Sequence, residues 1–276
     1  MKKTFHPFDV LPDVIEYESL KVNAFHFIPI APTTPHPLHA IFTHGFTACK
    51  NDVIQWAFRL LDLNIPSTIF DLPGHLLGAF HNGPSLKDFL EKTPFLFWVA
   101  AQKLKEILDD RFKNESLPTP QLLIGGHSLG ALFAIQAASL DIKSDPTFSK
   151  RISQVIAVGF GLNHQVKTHL FESELYQKTL HLRGQLVSKD LSHEKIFKWI
   201  KDQKLDINMQ GKKVYLLTGK DDAVVGPNGG DVLKQMLETL NIVTLEKPDQ
   251  LPHHRPELAG AHIFHFLKKQ LNGQTH

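Results

Sequence analysis

Ser128 is the residue of this chain whose neighbours best suit it to act as a nucleophile. It sits in Gly126-His127-Ser128-Leu129-Gly130, a G-x-S-x-G stretch. The mostly apolar run Gln121-Leu122-Leu123-Ile124 precedes it, and Ala131-Leu132-Phe133-Ala134-Ile135 follows. That order reads strand, sharp turn, helix. Such a turn lifts a serine hydroxyl above the edge of a sheet and strains its backbone. Glycine two residues to either side removes the Cβ atoms that would collide where strand and helix close on each other. The pentapeptide alone is common, but between a buried strand and an apolar helix it is a specific pattern for a nucleophile elbow.

A serine hydroxyl attacks poorly until a base takes its proton, and the base needs an acid to orient it. On an elbow of this kind the acid and then the histidine follow the serine along the chain. The acid should end a later strand. Val214-Tyr215-Leu216-Leu217-Thr218 is such a strand, and Gly219-Lys220-Asp221-Asp222-Ala223-Val224-Val225 follows it. Adjacent side chains point in different directions, so one of the two carboxylates is expected to face an imidazole. The turn after the preceding strand, Gly159 to Asn163, contains no carboxylate. The histidine should lie in the loop after the last strand, and Pro252-His253-His254-Arg255-Pro256 offers two. His262 and His265 fall inside the helix that follows and are read as surface or packing residues. Their spacing lacks the carboxylate or cysteine partners of a metal site.

Acyl transfer also needs about two preorganised N–H donors for the developing oxyanion. One is expected from Leu129, at the helix N-terminus. The other is expected from the loop His44-Gly45-Phe46-Thr47 after an early buried strand, with Phe46 as donor and His44 holding the loop.

The elements that must carry these residues can be read from apolar spacing. Strands are expected over Val22–Ile28, Leu38–Thr43, Ser67–Phe70, Gln121–Ile124, Ile152–Val158, Lys213–Thr218 and Ile242–Leu245. Helices are expected over Asp52–Leu63, over Leu86–Phe112 with a break near Pro94, from the elbow to about Leu140, over Asp231–Leu240, and from Pro256 to about Leu271. Strand and helix alternate, and the strands are continuous apolar runs. Both features point to an α/β fold with a mostly parallel central sheet covered by helices on both faces. Gly161 to Gly211 breaks the rhythm, with helical patterning and no clear strand.

Composition sets the bounds. A chain of 276 residues that is 42% hydrophobic can build one large core, so a single domain over 1–276 is expected. A formal net charge of +2 with no long run of one sign gives no reason to expect nucleic acid or an anionic membrane surface as partner. A single cysteine, Cys49, forms no internal disulfide and fits a reducing compartment. The N-terminus lacks the apolar segment of a signal peptide, and no run reaches the ~20 apolar residues of a membrane helix. A cytoplasmic protein is expected.

With these motifs in this order, the chain resembles the α/β-hydrolase superfamily over nearly its whole length. His44-Gly45-Phe46-Thr47 resembles the oxyanion loop of small bacterial serine esterases, and Asp71-Leu72-Pro73-Gly74-His75 resembles the family's Asp-x-Pro-Gly-His turn. The acid turn resembles one whose aspartate lies three residues after the glycine, which implies Asp222. His254-Arg255-Pro256-Glu257 resembles the histidine turn of the branch near dienelactone hydrolases and acylaminoacyl-peptidase-like proteins, which implies His254. The acid turn departs from the usual pattern at Val225-Gly226-Pro227, and Pro252-His253 stands where a glycine often precedes the histidine.

The resemblance further implies that 161–211 is a cap insertion, in which Phe171, Leu175, Tyr176, Leu180, Leu182, Phe197 and Trp199 supply apolar surface. The expected activity is hydrolysis of a small-molecule carboxylic ester of short or medium acyl chain. It would proceed through an acyl-enzyme on Ser128 and require no metal or organic cofactor. An acyl-thioesterase is the nearest alternative, because Gly-His-Ser-Leu-Gly also resembles type II thioesterase elbows. A hydrolase-like binding protein without turnover is the alternative of a different class.

Overall fold

The computed structural model of the chain describes residues 8–30, 36–78, 83–113, 117–162, 179 and 182–273. Eight strands form one sheet in the order β1-β2-β4-β3-β5-β6-β7-β8. They are β1 (Phe8–Tyr17), β2 (Leu20–Pro29), β3 (Leu38–Thr43), β4 (Ser67–Phe70), β5 (Gln121–His127), β6 (Ile152–Val158), β7 (Lys213–Leu217) and β8 (Ile242–Glu246). β3 to β8 run parallel, whereas β2 is antiparallel to both β1 and β4. The expected mostly parallel α/β sheet is thus present.

β1 was not legible in the sequence. Asp9, Asp13 and Glu16 interrupt its apolar pattern, and Pro12 lies within it. An edge strand tolerates both, because one row of its backbone groups faces away from the ladder. The tight turn to β2 puts Glu18 at φ +50°.

Helices cover both faces because the central strands are apolar on both. On one side α1 (Ile54–Leu61) and the C-terminal helix α8 (Ala259–Gly273) pack against β3, β6 and β7. There Trp56 meets Phe42 at 5.4 Å and donates its indole N–H to the Pro256 carbonyl at 2.8 Å. The other side holds α2 (Leu86–Lys92), α3 (Phe95–Arg111), α4 (Leu129–Ala137) and α7 (Gly229–Leu237). A short helix α5 (Phe148–Arg151) leads into β6, and α6 (His193–Gln203) lies between β6 and β7. Ser85 caps α2, its hydroxyl accepting from Asp88 N at 3.1 Å, and Pro94 divides α2 from α3 as the sequence indicated. In α4 every residue but Gln136 is buried, as suits a helix apolar on all sides. Each such Leu, Ile or Phe side chain contributes about 1.5–3 kcal/mol by leaving water. Among the described residues no helix is long and apolar enough to cross a membrane.

Of the apolar residues expected in the segment 161–211, Phe171, Leu175, Tyr176 and Leu180 lie outside the described residues. Leu182 is exposed. Phe197 and Trp199 lie on α6 and make the contacts described below.

Candidate active site

The C-terminal ends of the parallel strands bring the candidate residues together. β5 is the middle of three adjacent strands, flanked by β3 and β6, and Ser128 follows its last residue. Ser128 has φ +51° and ψ −112°, a backbone conformation that side chains rarely adopt. The neighbouring glycines permit it: a Cβ on Gly126 would lie 2.4 Å from the Gly130 carbonyl carbon, and one on Gly130 would lie 2.4 Å from the His44 carbonyl oxygen. Strand, turn, helix and the β3 loop are therefore in direct backbone contact at the serine. The hydroxyl sits at the head of α4, where Leu129 presents one of the first N–H groups that have no partner within the helix.

Asp222 lies in the turn after β7 and is buried. Its Oδ1 accepts from the backbone N–H of Val224 and of Val225, each at 2.9 Å. This local turn fixes the carboxylate and leaves Oδ2 for a second partner. Asp221, the other member of the pair, faces away and accepts from Leu251 N at 2.8 Å. The two adjacent aspartates thus divide the work: one pins the start of the histidine loop, and the other faces the histidine.

That histidine is His253. Its Nδ1 lies 3.0 Å from Asp222 Oδ2, and its Nε2 lies 3.1 Å from Ser128 Oγ. A carboxylate can only accept, so Nδ1 carries the proton and Nε2 is free to accept from the serine hydroxyl. The geometry places His253, and not the expected His254, between Asp222 and Ser128. Arg255 N bonds to Pro252 O at 2.9 Å, so both histidines occupy the middle of a tight turn and project to different sides. Leu251, held by Asp221, and buried Pro256, held by Trp56, anchor the turn at either end. With the ends held there, His253 turns inward and His254 is exposed.

The β3 loop lies against the serine. A Cβ on Gly45 would stand 3.3 Å from Ser128 Cβ, which brings the following Phe46 to the site. His44 is buried. Its Nε2 accepts from Leu72 N at 2.8 Å, so its protonated Nδ1 donates to the Gly45 carbonyl at 2.8 Å. It ties the β3 loop to the β4 loop, in keeping with the holding role expected of it. Burial keeps its pKa well below the usual histidine value. A second tie was not read from the sequence. Buried Asp71 accepts from Lys50 N at 2.7 Å and from Lys50 Nζ at 2.8 Å. Burial raises the Asp71 pKa, and the Lys50 bonds oppose that rise.

His127, which entered the sequence reading only as the variable residue of the elbow, wedges beneath the site. Its ring lies 4.7 Å from that of His253, between Gly45 and Gly159. Neither ring nitrogen has a hydrogen-bond partner among the described residues. Burial first, then repulsion from His253 and His44, holds its pKa well below normal. Its place directly before Ser128 is the only signal the sequence carried. In α8, His262 Nδ1 forms a hydrogen bond with the Glu246 carboxylate at 2.5 Å, a partner at the end of β8 that the sequence reading did not assign to it.

No family model matches the chain, and no curated protein does. Solved structures match it over nearly its full length. The esterase Est1E from Butyrivibrio proteoclasticus is 15% identical with a TM-score of 0.58, over 95% of this chain and 99% of that one. The Pyrococcus furiosus esterase Pf2001 is 19% identical with a TM-score of 0.57, over 95% of this chain and 93% of that one. XC6422 from Xanthomonas campestris, an α/β serine hydrolase without lid, is 13% identical with a TM-score of 0.56, over 97% and 98%. Strand order, elbow and full-length structural likeness lead to one conclusion: this chain has the α/β-hydrolase fold.

Proposed function

We propose that the chain is a serine hydrolase that cleaves carboxylic esters of short or medium acyl chain. The observation that carries this reading is the unbroken path from Asp222 through His253 to Ser128. His253 Nε2 takes the hydroxyl proton as Ser128 Oγ attacks the ester carbonyl. Asp222 holds the imidazole in the right tautomer and stabilises the imidazolium that forms. The N–H groups of Leu129 and Phe46 receive the oxyanion. The proton then passes from His253 to the leaving alcohol, and the acyl-enzyme remains on Ser128. Water, activated by the same imidazole, releases the acid. The similar solved structures named as esterases support the same chemistry. The segment 161–211 serves as a cap within one domain and shapes the acyl pocket. The single cysteine and the composition favour a cytoplasmic setting.

Labelling with an active-site fluorophosphonate separates an enzyme from a binding protein. The wild type is expected to label, and Ser128→Ala is not. On p-nitrophenyl esters Ser128→Ala should lose at least ~10³-fold in kcat. A folded Ser128→Ala protein with near wild-type turnover would remove the mechanism. A parallel panel of acyl-thioesters discriminates the thioesterase alternative by its kcat/KM against matched oxygen esters.

A further inference from the structure

α6 is placed to roof the candidate site, and its middle and its C-terminal end differ in chemistry. Midway along it, Phe197 packs edge-on against Phe46 of the β3 loop at 5.5 Å. At its end, Lys204 Nζ donates to the Gly161 carbonyl at 2.8 Å and sits 4.7 Å from the centre of the Phe160 ring, both in the β6 loop. Phe197 and Lys204 are two helical turns apart, so they share a face and lie roughly 10 Å apart along the axis. β3 and β6 flank β5, and two strand spacings also make about 10 Å. α6 therefore spans from one neighbour of β5 to the other, across the strand end that carries Ser128. A different face of the helix docks on α4, through Trp199 against Phe133 at 5.4 Å and Gln203 to Gln136 at 2.8 Å.

Lys204 brings a positive charge to the β6 side of this roof. Its ammonium has three N–H donors, and the described residues give it one carbonyl and one aromatic face, with no carboxylate in an ion pair. It stands close to the triad, since Gly159, two residues before Gly161, would put a Cβ 3.2 Å from His253 Nδ1. Burial pushes the Lys204 pKa down to about 8, against the attraction of the Asp222 charge. A half-buried cation on the β6 loop, with donors to spare among the described residues, matches an incoming anion.

We infer that Lys204 anchors an anionic group of the substrate, so that the preferred esters carry a carboxylate on the acyl or the alcohol side in addition to the ester that is cleaved. This rests on the proposed ester hydrolysis by Ser128 and specifies its substrate class. Phe197 and Phe46 on the β3 side of the roof then meet the apolar part of the same molecule.

The test compares pairs of esters in which one member carries a carboxylate where the other has a methyl group or a hydrogen. The mono-p-nitrophenyl ester of adipic acid is set against p-nitrophenyl hexanoate, and p-acetoxybenzoate against phenyl acetate. Each is measured on the wild type, Lys204→Met, Lys204→Arg and Ser128→Ala. In at least one pair, Lys204→Met should lower the ratio of kcat/KM for the anionic ester to that for the neutral one by ~10-fold or more, mainly through KM. Lys204→Arg should keep most of that ratio. If Lys204→Met lowers both members of each pair equally, Lys204 only holds α6 to the β6 loop and the inference is overturned. It is equally overturned if the ratios do not move. Full turnover of the neutral esters by Ser128→Ala would instead defeat the underlying hydrolase reading, so the two failures are distinct.

Discussion

At the scale of single residues, the site turns on one position of register. His253 and His254 are chemically identical and adjacent, yet only His253 reaches both Asp222 and Ser128. His253→Ala should therefore lower kcat by at least ~10³-fold. His254→Ala, at an exposed position, should stay within about twofold of wild type. The check is ester hydrolysis by both purified variants with matched thermal midpoints. Loss of turnover in His254→Ala alone would restore the assignment that the His-Arg-Pro-Glu resemblance implied. Asp222 and Asp221 show the same division. One faces the imidazole, and the other accepts from the backbone of the histidine loop, so neither is the simple solvated turn residue that an isolated Asp-Asp pair suggests.

At the scale of elements, α6 makes two kinds of contact, and they predict two kinds of mutant. Phe197 faces Phe46 of the β3 loop that lies against Ser128, whereas Trp199 packs on Phe133 of α4. Phe197→Ala should widen the apolar end of the pocket and shift the acyl-length preference toward longer chains. Trp199→Ala removes a large side chain from a helix interface and should mainly cost stability, by ~2 kcal/mol or more. Chain-length profiles on p-nitrophenyl esters, read beside denaturant midpoints, separate the two. An unchanged profile in a stable Phe197→Ala protein would mean that α6 does not shape the acyl site. The neighbouring loops hold α6 in register: Ser188 N bonds to Gly74 O at 2.6 Å, Leu76 N to Leu186 O at 2.9 Å, and His75 pairs with Val187.

At the scale of the whole molecule, the many buried histidines set an acid limit. His39 and His75 are buried, and burial lowers their pKa values to about 3 and about 4. His44 and His127 lie well below normal for the same reason. In the unfolded chain each titrates near pH ~6.5. As pH falls below that value the unfolded state binds protons that the folded state cannot, so stability drops. It is fully present above pH ~6.5 and is lost on the way down to the folded pKa values. His39 is the cleanest probe, since it lies in β3 near the strand end opposite the site. Between pH 7 and pH 5 it should account for about 2 kcal/mol of lost stability. Urea unfolding of His39→Gln should show a fall between those pH values smaller than wild type by about that amount. Equal falls would assign the acid sensitivity to other groups.

What the sequence determined by itself was the class of sheet, the strand–turn–helix at Ser128, the break at Pro94, and the two loops that bring Asp222 and His253 to Ser128. These are local signals. Apolar periodicity, glycines that make room at a turn, and a proline between two helices act over a few residues and leave their mark there. β1 escaped because an edge strand need not be apolar, and its stability comes from pairing with β2 rather than from its own pattern. The choice of His253 over His254 was decided only by tertiary structure, since residues far apart in sequence anchor both ends of that turn: Asp221 at Leu251, and Trp56 at Pro256. The same holds for His127 under the site, the Lys50–Asp71 tie and the reach of Lys204 to Gly161, each a contact between elements whose separation no local spacing encodes.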